Sequence, residues 1–132
     1  MAPKIGSSYT IERRVEPEHS ADRHGNPGVH VFTTPLLCEW SEEAAVLAVQ
    51  DQLDPGMITL GIRIDLEHLV ATPIGMMVRV TATLKEIDGR KLIFTVEGYD
   101  EQEKISECTH ERFIVTKSRF LEKVAEKAGT KK

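Results

Sequence analysis

Residues 35–53, PLLCEWSEEAAVLAVQDQL, form the single long helical stretch of this sequence, and its reading decides the fold. Leu36, Trp40, Ala44, Leu47 and Ala48 recur at helical spacing and predict one apolar face. Thr34 reads as the N-cap and Pro35 as the first helical residue, where a missing N–H costs nothing. Asp54-Pro55-Gly56 then stops the helix.

The segments on either side read as strands. Residues 8–15 (SYTIERRV, from Ser8) alternate loosely and predict a first strand. Residues 16–30, EPEHSADRHGNPGVH, read as a long loop, and a loop of that length in a compact domain suits a lid. After the helix, Ile58, Leu60, Ile62, Ile64 and Leu66 alternate with Thr59, Gly61, Arg63, Asp65 and Glu67, a period of two. Residues 72–75 form a turn, and 76–87 alternate again, with Val78, Val80, Ala82 and Leu84 on one face. Asp88-Gly89 is a hairpin signal leading to Leu92, Phe94 and Val96, and 105–116 supply a further strand. Ser118 caps a short C-terminal helix carrying Phe120, Leu121 and Val124, ahead of a frayed Lys-rich tail at 128–132.

The expected class is therefore α+β: one long helix wrapped by an antiparallel sheet of about five strands, plus a short C-terminal helix, in a single domain spanning 1–132. One helix cannot cover both faces of a sheet, and an unpaired edge needs a partner. Symmetric self-association is the commonest answer, which predicts a homodimer of the hot-dog architecture.

Composition narrows the function. The chain has 132 residues, 40% of them hydrophobic and 29% charged, ordinary values for one soluble domain. A net charge of −4 argues against nucleic acid as the main partner. Cys38 and Cys108 are far apart and form no C-x-x-C, which fits a reducing compartment. The absence of an apolar signal-like stretch, or of 18 uninterrupted apolar residues, predicts neither export nor membrane spanning, so the expected location is cytoplasmic. His19, His24 and His30 lie irregularly in the long loop with no acidic or Cys ligand pattern, so no metal site is expected.

Three blocks, in order, carry a family resemblance. The first runs from Thr34 to an acidic residue eight positions on, Thr34-Pro35-Leu36-Leu37-Cys38-Glu39-Trp40-Ser41-Glu42, followed by Glu43-Ala44-Ala45. The second is Gly61 with His68 seven residues later, running into Ala71-Thr72-Pro73-Ile74-Gly75. The third is Thr109-His110-Glu111-Arg112. Over residues 31–120 the chain resembles the fluoroacetyl-CoA-thioesterase-like branch of hot-dog thioesterases. The resemblance implies Thr34, Glu42 and His68 as the catalytic group, with Gly61 and Arg112 lining the acyl and CoA site. It implies hydrolysis of an acyl-CoA ester, with CoA entering as part of the substrate and no separate cofactor. Fluoroacetyl-specific members look as though they carry aromatic residues in the loop before the threonine. Here the matching stretch, around Gly25 to Gly28, is small, so the acyl group stays open.

The residue types suit the reaction. A thioester carbonyl needs a base or nucleophile, donors for the developing oxyanion and a positioned water. A glutamate on a partly desolvated helix, a nearby histidine and a hydroxyl at a helix start supply these roles. Each residue also has a purely structural reading. Thr34 caps a helix; Glu39, Glu42 and Glu43 can form a solvated acidic face; His68, with the parity of Ile64 and Leu66, can be a satisfied inward histidine. Gly61 can mark a bulge or a close approach, and Arg112 can bind a phosphate or pair with Glu42 or Glu111. Cys38 and Cys108 read as small buried hydrophobes.

Two other function classes compete. A non-catalytic acyl-CoA-binding dimer would use the same fold. Hydration of an enoyl thioester would need an Asp and a His close together on the helix and its lead-in, and the helix contains no His.

Overall fold

A computed structural model describes residues 2–129 of the chain. Its strands are β1 (Ser8–Arg14), β2 (Met57–His68), β3 (Met77–Asp88), β4 (Lys91–Tyr99) and β5 (Lys104–Thr116). They form one antiparallel sheet in the order β1-β3-β4-β5-β2. Helix α1 (Thr34–Val49) packs on one face, chiefly against β3 and β1, and α2 (Lys117–Lys127) follows β5. The expected architecture is present.

The core explains the packing. Val78, Val80, Ala82 and Leu84 of β3 and Leu92, Phe94 and Val96 of β4 are buried, as their alternation predicts. Leu37, Ala44, Ala45, Ala48 and Val49 of α1 close over them, and the three alanines let the helix lie near the sheet. The buried arc is turned slightly from the predicted one: Leu37 is fully buried, whereas Leu36 is half-buried and Leu47 exposed. Helix α1 also ends at Val49 and tightens into a short 3-10 turn at Gln50–Gln52 rather than running to Leu53.

Both helix starts differ from expectation. Thr33 is the N-cap of α1, so Thr34 is the first helical residue and Pro35 the second. Helix α2 starts at Lys117 with Thr116 as N-cap, not at Ser118. Phe120, Leu121 and Val124 remain exposed on it. The predicted tail at 128–132 falls largely outside the described residues.

The long loop is better ordered than its composition implies. It holds short 3-10 turns at Pro17–His19 and Ala21–Arg23 and a bridge between Ser20 and Phe32. Trp40 of α1 anchors it, with the Phe32 ring 4.5 Å away and the His19 ring edge-on at 5.3 Å. The Arg13 guanidinium lies 5.4 Å over the same indole and grips Glu43 with two hydrogen bonds of 3.0 and 2.6 Å.

Strand β2 breaks the predicted alternation. A bulge between Gly61 and Arg63 shifts its pairing with β5. Before the bulge the odd residues face the helix, with Thr59 buried; after it the even residues do, ending at His68. Ile58, Leu60 and Ile62 are therefore not one continuous inward stripe, and Ile62 is 53% exposed.

Truncating the helix contact tests this packing. Leu37→Ala should destabilise the protein by about 2–5 kcal/mol, read as a lower urea midpoint at unchanged slope.

Candidate active site

Thr34, Glu42 and His68 do not converge on one point within a single chain. The start of α1 brings the Thr34 hydroxyl to His68 at the end of β2, Oγ1 to Nδ1 at 2.8 Å. Because Thr33 occupies the cap position, the Thr34 hydroxyl is free for this contact. The other ring nitrogen, His68 Nε2, is buried and has no protein partner. Burial holds the His68 pKa below the usual imidazole range, against an opposing backbone contact from Val70, so the ring is neutral near pH 7.

This pair opens into a cavity of about 400 Å³. Its walls include Val31, Phe32, Pro35, Leu69 and Val70, with His24 and Asn26 reaching in from the long loop. Apolar walls around a few polar groups suit a small organic ligand. An outer groove of about 480 Å³, lined by Asp65, Glu67, Glu97 and Glu107, is larger but holds none of the candidate residues. Its carboxylates would repel an anionic ligand.

Glu42 stands two turns further along α1, about 12 Å away at 1.5 Å per residue. Its carboxylate is 44% exposed, and Oε2 lies 3.9 Å from both His110 Nε2 and Arg112 Nη1 of β5. Gly61 is what lets it sit there. A Cβ on Gly61 would stand 2.6 Å from Glu42 Oε2, and 3.2 Å from both Arg112 Nη1 and His110 Cε1. Both readings of Gly61 hold: the carboxylate approaches it closely, and the bulge begins there.

Arg112 is buried beneath the carboxylate. Its Nε donates to Thr59 Oγ1 at 2.8 Å, Nη2 to the Thr59 carbonyl at 2.9 Å and Nη1 to His110 Nε2 at 3.0 Å. Of its two predicted roles, pairing with Glu42 is the one the geometry displays. Glu39 and Glu43 do not compete with Glu42 for this position: Glu43 is held by Arg13, and Glu39 is exposed.

The thiols are poorly suited to act as nucleophiles. Cys38 lies between Thr34 and Glu42 on the same helix face, but burial raises its pKa. Burial, with Cys38 nearby, pushes the Cys108 thiol up to about 12. Neither supplies a thiolate near neutral pH. Cys108 is buried as predicted, whereas Cys38 is only partly so.

Two residues of the site went unassigned by the sequence reading, Thr59 and His110. His110 shares strand parity with Arg112 and belongs to the same Thr109–Arg112 block, which is the signal that could have singled it out. Thr59 faces inward only because of the bulge, which no pattern in the sequence announces.

Relatives share the fold. The family model described as fluoroacetyl-CoA-specific thioesterase matches residues 15–118. A fluoroacetyl-CoA thioesterase of Streptantibioticus cattleyicolor is 34% identical over 131 residues, covering 94% of each chain. A mutant of the fluoroacetyl-CoA-specific thioesterase superposes with a TM-score of 0.88 at 32% identity, over 96% of this chain and 98% of that one. A Thermus thermophilus hypothetical protein, a thioesterase superfamily member, superposes at 0.89 with 24% identity, over 99% and 100% of the chains, and shares the fold. Sheet, helix and site together define a hot-dog-fold thioesterase. Within that class, the chain belongs to the fluoroacetyl-CoA-specific thioesterase family.

The Gly61 contact gives a direct test. Gly61→Ala should leave the protein folded but lower kcat by about tenfold or more, because the new methyl displaces the Glu42 carboxylate. Wild-type kcat in that variant would remove Gly61 from the site.

Proposed function

We propose that the protein hydrolyses an acyl-CoA thioester to the free acid and CoA, in two sites each shared between the subunits of a homodimer. The observation that carries this is the division of the site within one chain. Thr34 and His68 form one cluster, and Glu42, with Gly61, His110 and Arg112, forms the other.

Strand β2 supports the dimer. It is a twelve-residue edge strand, hydrogen-bonded to β5 alone, with Ile62 and Ile64 exposed. Such an edge invites a second copy. Antiparallel pairing of two β2 strands about a two-fold axis between Ile64 and Asp65 lays Gly61 opposite His68 of the partner subunit. Glu42, which rests over Gly61, then faces the partner's Thr34 and the partner's His68 across the interface.

In that arrangement the acyl carbonyl lies between the two clusters. Glu42 acts as nucleophile or as general base toward water. Thr34 gives a hydroxyl contact to the developing oxyanion and neutral His68 positions the water, while the proton that Glu42 takes from that water passes to the leaving thiolate. The side chains supply every proton transfer the reaction needs, and CoA enters only with the substrate. The acyl group is open. Gly25 and Gly28 sit in the loop at φ +105 and +84°, with nothing within 4 Å of a Cβ built on either, so these two positions leave open space. No helix among the described residues is long and apolar enough to cross a membrane. With its cysteines free, the expected site of action is the cytoplasm.

Thiol release from a panel of acyl-CoA esters, acetyl- and fluoroacetyl-CoA included, is the test. Glu42→Ala and His68→Ala should each lower kcat by at least about a hundredfold while the dimer persists in size-exclusion chromatography. Tight binding of the esters without thiol release by the wild-type protein would instead identify a binding module.

A further inference from the structure

We propose that His110 is a positioning residue that holds the Arg112 guanidinium short of Glu42 and so leaves the carboxylate free to react. The inference rests on Glu42 being the reacting carboxylate, and it assigns a task to a residue that touches no substrate.

His110 is among the largest fully buried side chains of the protein, at 1% exposure, and the others in that group are all apolar. Both of its nitrogens are used. Nδ1–H donates to the Arg63 carbonyl at 2.7 Å, beside the β2 bulge, so in the neutral ring Nε2 carries the lone pair. That lone pair accepts Arg112 Nη1–H at 3.0 Å. Burial, and the guanidinium itself, hold the ring in the neutral form. A protonated ring would turn an N–H toward another N–H.

The guanidinium is thus tied on two sides, by Thr59 through Nε and Nη2 and by His110 through Nη1. The gap from Nη1 to Glu42 Oε2 is 3.9 Å, an ion pair without a hydrogen bond. A shorter, charge-assisted bond would lock the carboxylate against β5 and away from an acyl carbonyl. Without the His110 acceptor, Nη1–H becomes a buried donor lacking a partner, and Glu42 Oε2 lies 3.9 Å from it. Closing that gap satisfies the donor at the cost of the reaction. His110 serves catalysis by giving the arginine somewhere else to bind.

The measurement is steady-state kinetics of the dimer with the fastest ester of the panel above, on His110→Gln and His110→Phe. Glutamine can place a carbonyl where Nε2 stood, whereas phenylalanine fills the space without an acceptor. H110Q should keep kcat within about threefold of wild type. H110F should lose about thirtyfold or more in kcat with KM within about twofold, the pattern of a defect confined to the chemical step. Wild-type kcat in H110F, or an equal loss in both variants, would overturn the proposal. Should H110F fail to fold, Thr59→Val removes the Nε acceptor on the opposite side, leaving Arg112 only its Nη2 bond to the Thr59 carbonyl there. It must then lower kcat at unchanged KM, and an unaltered kcat would be equally fatal. An active E42A would refute the assignment of Glu42 itself, whereas an inactive E42A beside an unimpaired H110F refutes only the role of His110.

Discussion

The site depends on a contact made possible by a missing side chain. Glu42 lies so close over Gly61 that even a methyl group there would collide with it. The bulge beginning at Gly61 then changes which residues of β2 face the helix. Upstream it turns Thr59 inward to hold Arg112, and downstream it turns His68 inward to meet Thr34. A regular strand could not do both, because 59 and 68 have opposite parity and would point to opposite faces. One local irregularity therefore serves both clusters of the site.

The buried layer under Glu42 explains how charge is tolerated there. Arg112 is taken out of water but hydrogen-bonded through all three of its nitrogens, which is the condition for burying a guanidinium without a large penalty. His110 accepts from it only while neutral, and its burial keeps it so. The carboxylate above stays partly exposed, open to a ligand and to the positive field beneath it.

Much of the fold was legible in the sequence because it rests on periodicity. The alternation of Val78, Val80, Ala82 and Leu84 and the helical spacing of Trp40, Ala44 and Ala48 each report burial directly. The elements could be ordered and the helix placed from these patterns. What periodicity could not show was the bulge, since Ile58 to Leu66 reads as one unbroken stripe while the strand in fact changes face midway. The start of α1 was missed by one residue because Thr33 and Thr34 are chemically equivalent candidates for the cap, and only the contact with His68 distinguishes them. The glutamate was chosen among three by its eight-residue spacing from Thr34, and the structure supplies the physical ground, since Glu43 is held by Arg13. The spacing did not reveal that Thr34 and Glu42 join different clusters, two turns apart on the helix.

That division is the ground for the proposed sharing of the site between two subunits, as against a site complete within each chain. Mixed dimers formed by co-expressing Glu42→Ala with His68→Ala test it most directly. A shared site gives two inactive homodimers and a heterodimer with about half of wild-type activity, since one of its two sites keeps Glu42 from one chain and His68 from the other. A heterodimer as inactive as its parents would contradict it.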